Sequence, residues 1–412
     1  MRLLHGKKLN KIVLAHMKIV VLTGTRAEYG ILKSLLSAID NDSELDLSLI
    51  VTGMHLSSEF GLTVDMVKDD GWDIGGIVPM SLSGDSKVEV AQSVGLGVIN
   101  HTTTISLLKP DLIIVLGDRI EPLSAAISAA ILGVPVAHIS GGDLTLGSID
   151  DTYRVLISKI AQLHFVSTQT SYDRLISLGE DASDIYKVGS LTIDDMPMPL
   201  PNNNIQALFF KIFGFPYKQE VTYAIVLYHP ETVLKVSGDI IIDRILRVTA
   251  TMFDHVLVIM PNNDSGHSKI SSKINSLLVD YKNIHRVHNL ARNEYLELLQ
   301  SSNILIGNSS SGIVECSFLN VPVINIGDRQ LGRERSNNVI DISNSDVLEN
   351  ETCIVNSINK VLLNPEFKIL MENGTNIYGE RGVSKRIVDV IKSRRNITST
   401  PKKDPLTLNR GI

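Results

Sequence analysis

The chain has 412 residues, 43% of them apolar, with 39 Lys and Arg against 45 Asp and Glu for a net charge of −6. That length exceeds one ordinary core and predicts two α/β domains, the apolar content excludes a disordered chain, and the acidic balance excludes a nucleic-acid binder, which needs a basic face. Its two cysteines, Cys316 and Cys353, are far apart and in no CxxC spacing, so neither a disulfide framework nor a zinc site is supported.

Lys7, Lys8 and Lys11 precede a short apolar patch in the manner of a signal peptide, but Lys18 interrupts the patch and Met17 opens a strand. The expectation is a cytoplasmic protein with an extended or misassigned start. Met17–Gly24 reads as a buried parallel strand. A loop with Arg26 follows, then a helix from about Gly30 to Ile39. Leu47–Gly53 and Leu112–Gly117 read as the next two strands. No apolar run approaches the roughly 20 residues that span a bilayer; in the nearest, Pro122–Val136, Ser124, Ser128, Gly133 and Pro135 mark a helix feeding a strand. Val134–Ile139 reads as strand, Tyr153–Leu163 as helix, and Leu163–Ser167 and Ile185–Gly189 as strands.

Pro197–Asn204 (PMPLPNNN) has the composition of a linker. The alternation then restarts with strand Tyr223–Leu227, helix Ile240–Met252, strand Val256–Ile259, helix Lys269–Leu278, short strand Arg286–Val287, helix Asn293–Ser301 and strand Ile304–Gly307. Such alternation implies right-handed, doubly wound parallel sheets. We expect two Rossmann-like domains, residues 17–196 and 205–376, with a helix within 377–395 packing back on the first and residues 1–16 and 396–412 flexible. Ligands bind beyond the carboxyl ends of such strands, which predicts an active site in the interdomain cleft.

Polar clusters fall at those strand ends. Arg26 lies in TGTRAEYG; Asp118 and Arg119 follow IIVLG; His138 precedes Gly141, Gly142 and Asp143, with Asp150 and Asp151 a few residues on. In the second half, His229 is followed by Pro230 and Glu231, Asn262 lies in PNND, and Leu305–Arg329 runs from a strand through Ser309, Ser310 and Ser311 to a helix with Glu315 and a strand ending at Arg329. Small residues at a helix N-terminus suit a phosphate, and a carboxylate behind them can accept from ribose hydroxyls. Each cluster has a bland alternative. Asp118–Arg119 could be a local ion pair, His138 a satisfied core histidine, Asp150 and Asp151 helix caps, PNND a plain turn, and Asn308 a glycosylation match. Against these stands their coincidence at one strand end after another.

The motifs together resemble the hydrolysing UDP-N-acetylglucosamine 2-epimerases of bacterial sialic-acid and capsule biosynthesis. They are TGTRAEYG, VTGMH (Val51–His55), LGDRIE (Leu116–Glu121), AHISGGDLTLGSIDD (Ala137–Asp151), YHPET (Tyr228–Thr232), PNND, IGNSSSG (Ile306–Gly312) and IGDRQLGR (Ile326–Arg333). The resemblance runs from Met17 to about Arg394. It implies a two-lobed glycosyltransferase-B fold, a homodimer, a UDP-sugar substrate, and neither metal nor cofactor. The implied reaction converts UDP-N-acetylglucosamine and water to N-acetylmannosamine and UDP, by anti elimination to a 2-acetamidoglucal and syn hydration. By position, Asp118 and Asp150 match the proton-transfer acids, His229 the histidine near the diphosphate, and His138 a catalytic or structural histidine. Arg26, Ser309 and Ser310 match phosphate contacts, Glu315 the ribose ligand, and Arg119, Asn262 and Arg329 further positions of the UDP pocket.

Two departures stand out: Ser140 where many relatives carry a Glu proposed as catalytic, and Val155 where many carry His. Either Asp143 substitutes or the remaining acids and histidines suffice. Both lie on the sugar side, so a UDP-2,4-diacetamido-trideoxyhexose is an alternative substrate. A non-hydrolysing epimerase, a retaining glycosyltransferase and a silent nucleotide-sugar-binding regulator are the other readings.

Overall fold

The computed structural model describes residues 16–58, 61–81, 86–146, 149–196, 203–231, 237–261, 266–288, 290–374 and 376–399. The predicted site residue Asn262 and most of the predicted linker lie outside them. Two parallel sheets form two α/β lobes. The first contains β1 (Met17–Thr23), β2 (Leu45–Thr52), β3 (Ile74–Val78), β4 (Leu112–Leu116), β5 (Val136–Ile139), β6 (Leu163–Val166) and β7 (Ile185–Lys187), in the order 3-2-1-4-5-6-7. The second contains β8 (Tyr223–Leu227), β9 (His255–Ile259), β10 (Ile284–Val287), β11 (Ile304–Gly307), β12 (Val323–Ile326) and β13 (Val339–Ile342), in the order 10-9-8-11-12-13. Among the described residues no helix is long and apolar enough to cross a membrane.

The central strands are apolar on both faces because helices cover both faces. In β1, Ile19 and Val21 point into a core with the helices Arg26–Asp40 and Val383–Ser393, while Val20 and Leu22 point into a second core under Ile120–Leu132. Each fully buried Ile, Leu or Val contributes roughly 1.5–3 kcal/mol, so the strand order is strongly specified. The register sets β4 beside β1 (Val21 opposite Ile114) and β11 beside β8 (Gly307 opposite Leu227). These are the two places where the strand order reverses, and open α/β sheets hold ligands there.

Sequence periodicity misses several elements, among them the strand Val339–Ile342, the helix Gln169–Ser177, and β3 with the helix that follows it. β3 and the helix Lys87–Leu108 pack through small residues: a Cβ on Gly75 would lie 2.8 Å from Leu108 Cδ2, and one on Gly76 2.4 Å from Thr104 Cγ2. That helix buries Ser93, Gly97, His101 and Ile105 and leaves Val88, Ile99 and Leu107 exposed, so its apolar residues do not mark its inner face. The helix Arg26–Asp40 starts four residues earlier than the predicted Gly30, because Thr25 and Glu28 form a capping box. This changes Arg26 from a loop residue to the first residue of a helix.

The chain crosses between lobes twice, and the described residues that flank the two crossings contact each other. Near the first crossing the Ser190 N–H donates to the Tyr378 carbonyl at 2.8 Å, and Arg381 donates to the Met196 carbonyl. Asp194 accepts from the N–H groups of Val383 and Ser384 at 2.7 and 2.5 Å, placing a negative charge at the N-terminus of the last helix. That helix then buries Val383, Ile387, Val388 and Ile391 against the first lobe.

Candidate active site

At the end of β4, left-handed Gly117 turns the chain so that Asp118 leaves the sheet. His138, one strand over, holds this turn: its Nε2 lies 2.7 Å from the Gly117 carbonyl, which can only accept, so Nε2 carries the proton and Nδ1 accepts from Ser158 at 3.0 Å. Burial pushes the His138 pKa down to about 3. Both ring nitrogens are thus occupied and the ring is neutral and fully buried. Of the catalytic and structural roles considered for His138, the geometry supports the structural one: it positions Asp118.

Asp118 is paired with Arg154, whose side chain is only 2% exposed. The same guanidinium donates through Nη1 to the Asp143 carbonyl (2.9 Å), the Thr145 hydroxyl (3.0 Å) and Asp151 Oδ1 (3.1 Å). These acceptors offset the burial of the Arg154 charge, and the pair joins the β4 turn to the loop after β5. Burial works against an ionised Asp118, but Arg154, Arg333, Arg329 and Arg119 together outweigh it and hold its pKa below the ordinary value. Two of those arginines belong to the second lobe, so the carboxylate faces a cationic wall across the cleft.

Asp150 is the first residue of the helix Asp150–Ile160, one turn ahead of Arg154. Neither it nor Asp151 is the N-cap, which is Ile149; Asp151 instead braces the loop by accepting from the Thr145 N–H at 3.1 Å and from Arg154. Ser140 adopts a left-handed backbone (φ 64°), and the Asp143 carboxylate accepts from Ser171 at 2.7 Å. Arg119 Nε contacts Glu121 at 3.4 Å. Glu121 is 1% exposed and fills the space beside Gly24 and Gly53, where a Cβ would lie 2.8 and 2.6 Å from it. Burial and then the charge of Glu121 push the Glu28 pKa up to about 7. Burial lowers the Arg26 pKa, countered by Glu294.

In the second lobe Asn308 staples the two central strands. It is fully buried, accepts from the His229 N–H at 2.7 Å and donates to the His229 carbonyl at 2.9 Å. With its amide consumed, the glycosylation reading of Asn308 fails. Gly307 just before it has φ 150°, and a Cβ there would lie 2.0 Å from the Leu227 carbonyl. Ser309 caps a 3-10 turn, Ser310–Gly312, by accepting from the Ser311 N–H at 3.3 Å. Glu315 opens the short helix Glu315–Leu319 and is ion-paired with Arg292 at 3.3 Å. Glu231 fixes the loop that carries Arg329, accepting from the Asp328 N–H (3.1 Å) and from Asn344 (2.8 Å).

The lobes meet along the loops that follow β5 and β12. The Leu146 N–H donates to the Leu331 carbonyl at 3.1 Å and Arg333 Nε to the Leu144 carbonyl at 3.2 Å. Of the predicted site residues, Arg26, Asp118, Arg119 and Asp150 belong to the first lobe and His229, Ser309, Ser310, Glu315 and Arg329 to the second, while His138 is fully buried. Arg154, Arg333, Glu231 and Asn308 escaped the sequence reading as site residues. Arg333 sits in a quoted motif, but Arg154 has no local signal at all.

The UDP-N-acetylglucosamine 2-epimerase family model matches residues 37–392. The chain is 33% identical to the UDP-N,N'-diacetylbacillosamine 2-epimerase (hydrolyzing) of Legionella pneumophila, over 91% of this chain and 96% of that one. It is 36% identical to the GDP/UDP-N,N'-diacetylbacillosamine 2-epimerase (hydrolyzing) of Campylobacter jejuni, over 80% and 85%. In fold it matches the UDP-GlcNAc 2-epimerase from Neisseria meningitidis bound to UDP-GlcNAc with a TM-score of 0.77, at 19% identity, covering 92% of this chain and all of that one.

Proposed function

The chain belongs to the UDP-N-acetylglucosamine 2-epimerase family, and from that premise we propose that it is a hydrolysing 2-epimerase of a UDP-2-acetamido sugar. With UDP-N-acetylglucosamine the products are N-acetylmannosamine and UDP. The observation that carries this reading is Asp118, ionised by Arg154 on its own lobe and facing Arg329 and Arg333 of the other.

Elimination breaks the sugar C2–H and C1–O bonds on opposite faces. The proton passes to a carboxylate, the C–H pair becomes the C1=C2 double bond, and the C1–O pair leaves with UDP. Charge gathering on the departing diphosphate is best met by fixed donors, the role of Arg26, Arg329, Ser309, Ser310 and His229, while Glu315 holds the ribose. Asp118 and Asp150 serve the proton transfers of elimination and hydration. Water then adds its oxygen to C1, and a proton reaches C2 from the face that gives the manno configuration.

A second reading, the same chemistry on a UDP-2,4-diacetamido sugar, is favoured by the two hydrolysing relatives and by Ser140 and Val155 on the sugar side. Nucleotide-sugar chemistry of this kind suits the cytoplasm. The outward apolar side chains Val88, Leu96, Ile99 and Leu107 of one helix, with Ile131 and Leu132 beside them, support a homodimer through that face.

Incubation with UDP-N-acetylglucosamine, and separately with its 2,4-diacetamido counterpart, in deuterated water tests the reaction by NMR. The expected products are the free 2-epimer labelled at C2 and one equivalent of UDP. Sugar release without label would sink the elimination path, and a UDP-linked epimer would point to the non-hydrolysing reaction. The substrate turned over faster decides between the two sugars.

A further inference from the structure

Resting on the reading of Glu315 as the ribose ligand, we propose that Arg292 is the positioning residue that presents Glu315 to the nucleotide and ties that presentation to the junction of the lobes. Arg292 is the first residue of the helix Arg292–Ser301 in the second lobe. Its Nη1 contacts Glu315 Oε1 at 3.3 Å, and its Nη2 donates to the Thr192 carbonyl at 2.7 Å. Thr192 belongs to the turn that leads out of the first lobe. The aliphatic stem of Arg292 lies on Gly30 of the helix that begins with Arg26; a Cβ there would be 3.0 Å from its Cδ. One side chain therefore touches the nucleotide lobe, the phosphate-side helix and the crossing segment.

Glu315 has need of such a partner. Its side chain is 9% exposed, and a carboxylate that far from water is costly unless paired and hydrogen-bonded. It has three rotatable bonds, and holding it toward two ribose hydroxyls costs conformational entropy. Pairing of Oε1 with Arg292 fixes the rotamer, so that the ribose meets Oε2. The planar fork of arginine spans the carboxylate and the Thr192 carbonyl together, which a lysine ammonium does not do. A shift of Thr192 relative to the second lobe moves the guanidinium and with it the ribose ligand.

Calorimetric titration with UDP and with 2′,3′-dideoxy-UDP tests this in the wild type, Arg292→Gln and Arg292→Lys, each checked for folding by circular dichroism. The wild type is expected to prefer UDP. Arg292→Gln is expected to lose about tenfold in UDP affinity, the worth of a charge-assisted hydrogen bond, and less than about twofold for dideoxy-UDP, with kcat within about threefold. If the Gln variant does not fold, the Lys variant gives the same comparison, retaining charge but losing the fork. Equal losses for both nucleotides, or no loss, would overturn the role of Arg292 while leaving the ribose reading intact. A wild type that binds the two nucleotides alike overturns the ribose reading and this inference together.

Discussion

Arg154 and Asp118, 36 residues apart in the chain, form a buried ion pair in which one guanidinium binds the carboxylate while its other nitrogen braces the loop carrying Asp143, Thr145 and Asp151. The pair gives Asp118 a fixed direction and a fixed charge. Asp118→Asn should lower kcat by about a thousandfold, in the range of a lost acid–base group, with UDP affinity within about threefold by calorimetry. A collapse of UDP binding would instead make Asp118 a structural partner of the phosphate-binding arginines.

Removing the other partner has a different signature. Arg154→Met leaves a carboxylate in a confined site and frees the Asp143 loop, and should destabilise the fold by about 3–5 kcal/mol in urea melts. Because Arg154 is the largest of the influences lowering the Asp118 pKa, the acid limb of the pH–rate profile should move to higher pH. A profile that stays in place would separate Asp118 from that limb.

The Asn308 staple predicts a stability loss without a charge change. Asn308→Ala leaves the His229 N–H and carbonyl without their partner in a buried setting, at a cost of about 2–4 kcal/mol for the two groups. KM for the UDP-sugar should rise as well, since His229 and Ser309 flank the staple. An unchanged melt would show that water replaces the amide.

Stability should also depend on pH through buried histidines. Burial holds His55 and His101 at about 4 and His138 at about 3. Folded-state values below the ordinary 6.5 mean that the unfolded chain takes up protons first. Stability is therefore full above pH 6.5 and falls below it, by about 1.4 kcal/mol per pH unit for each proton. Glu28 acts oppositely: with a folded value of about 7 against 4.5, its contribution is full below 4.5 and lost as pH rises to 7. Glu28→Gln retains the capping-box geometry and should raise the melting temperature at pH 8, not at pH 4.

The exposed stripe predicts assembly. Ile99→Lys with Leu107→Glu should convert a dimer to a monomer in light scattering, with little change in the melt of the monomer, since both side chains are largely exposed. A wild type that is monomeric at micromolar concentration would remove the basis for this reading.

Much of this molecule is legible in its sequence because its central strands are unbroken apolar runs such as IIVLG and YAIVL, with Asp118 and His229 just beyond them. Where packing relies on glycine, serine and histidine, as between β3 and the helix Lys87–Leu108, hydrophobic period carries no information. The early start of the Arg26 helix was encoded in T-x-x-E, a signal easily passed over inside a glycine-rich loop. Arg154 could not be found locally, since its meaning comes from an acid on another strand. Asn308 reads in the sequence as a glycosylation match, and only the adjacency of β8 and β11 gives it a partner.

Two crossings whose flanking residues are joined, Ser190 to Tyr378 and Arg381 to Met196, have a mechanical consequence. A single connecting strand would let the lobes swing and twist in any direction, whereas a double strip resists twisting and bends about one line. Any opening about that line would bring the two walls back to the same registration on closing. The last helix, anchored by Asp194, is the second leaf of that strip, so cutting the chain ahead of it should cost the alignment of the walls and, with Val383, Ile387, Val388 and Ile391 gone from its core, the stability of the first lobe.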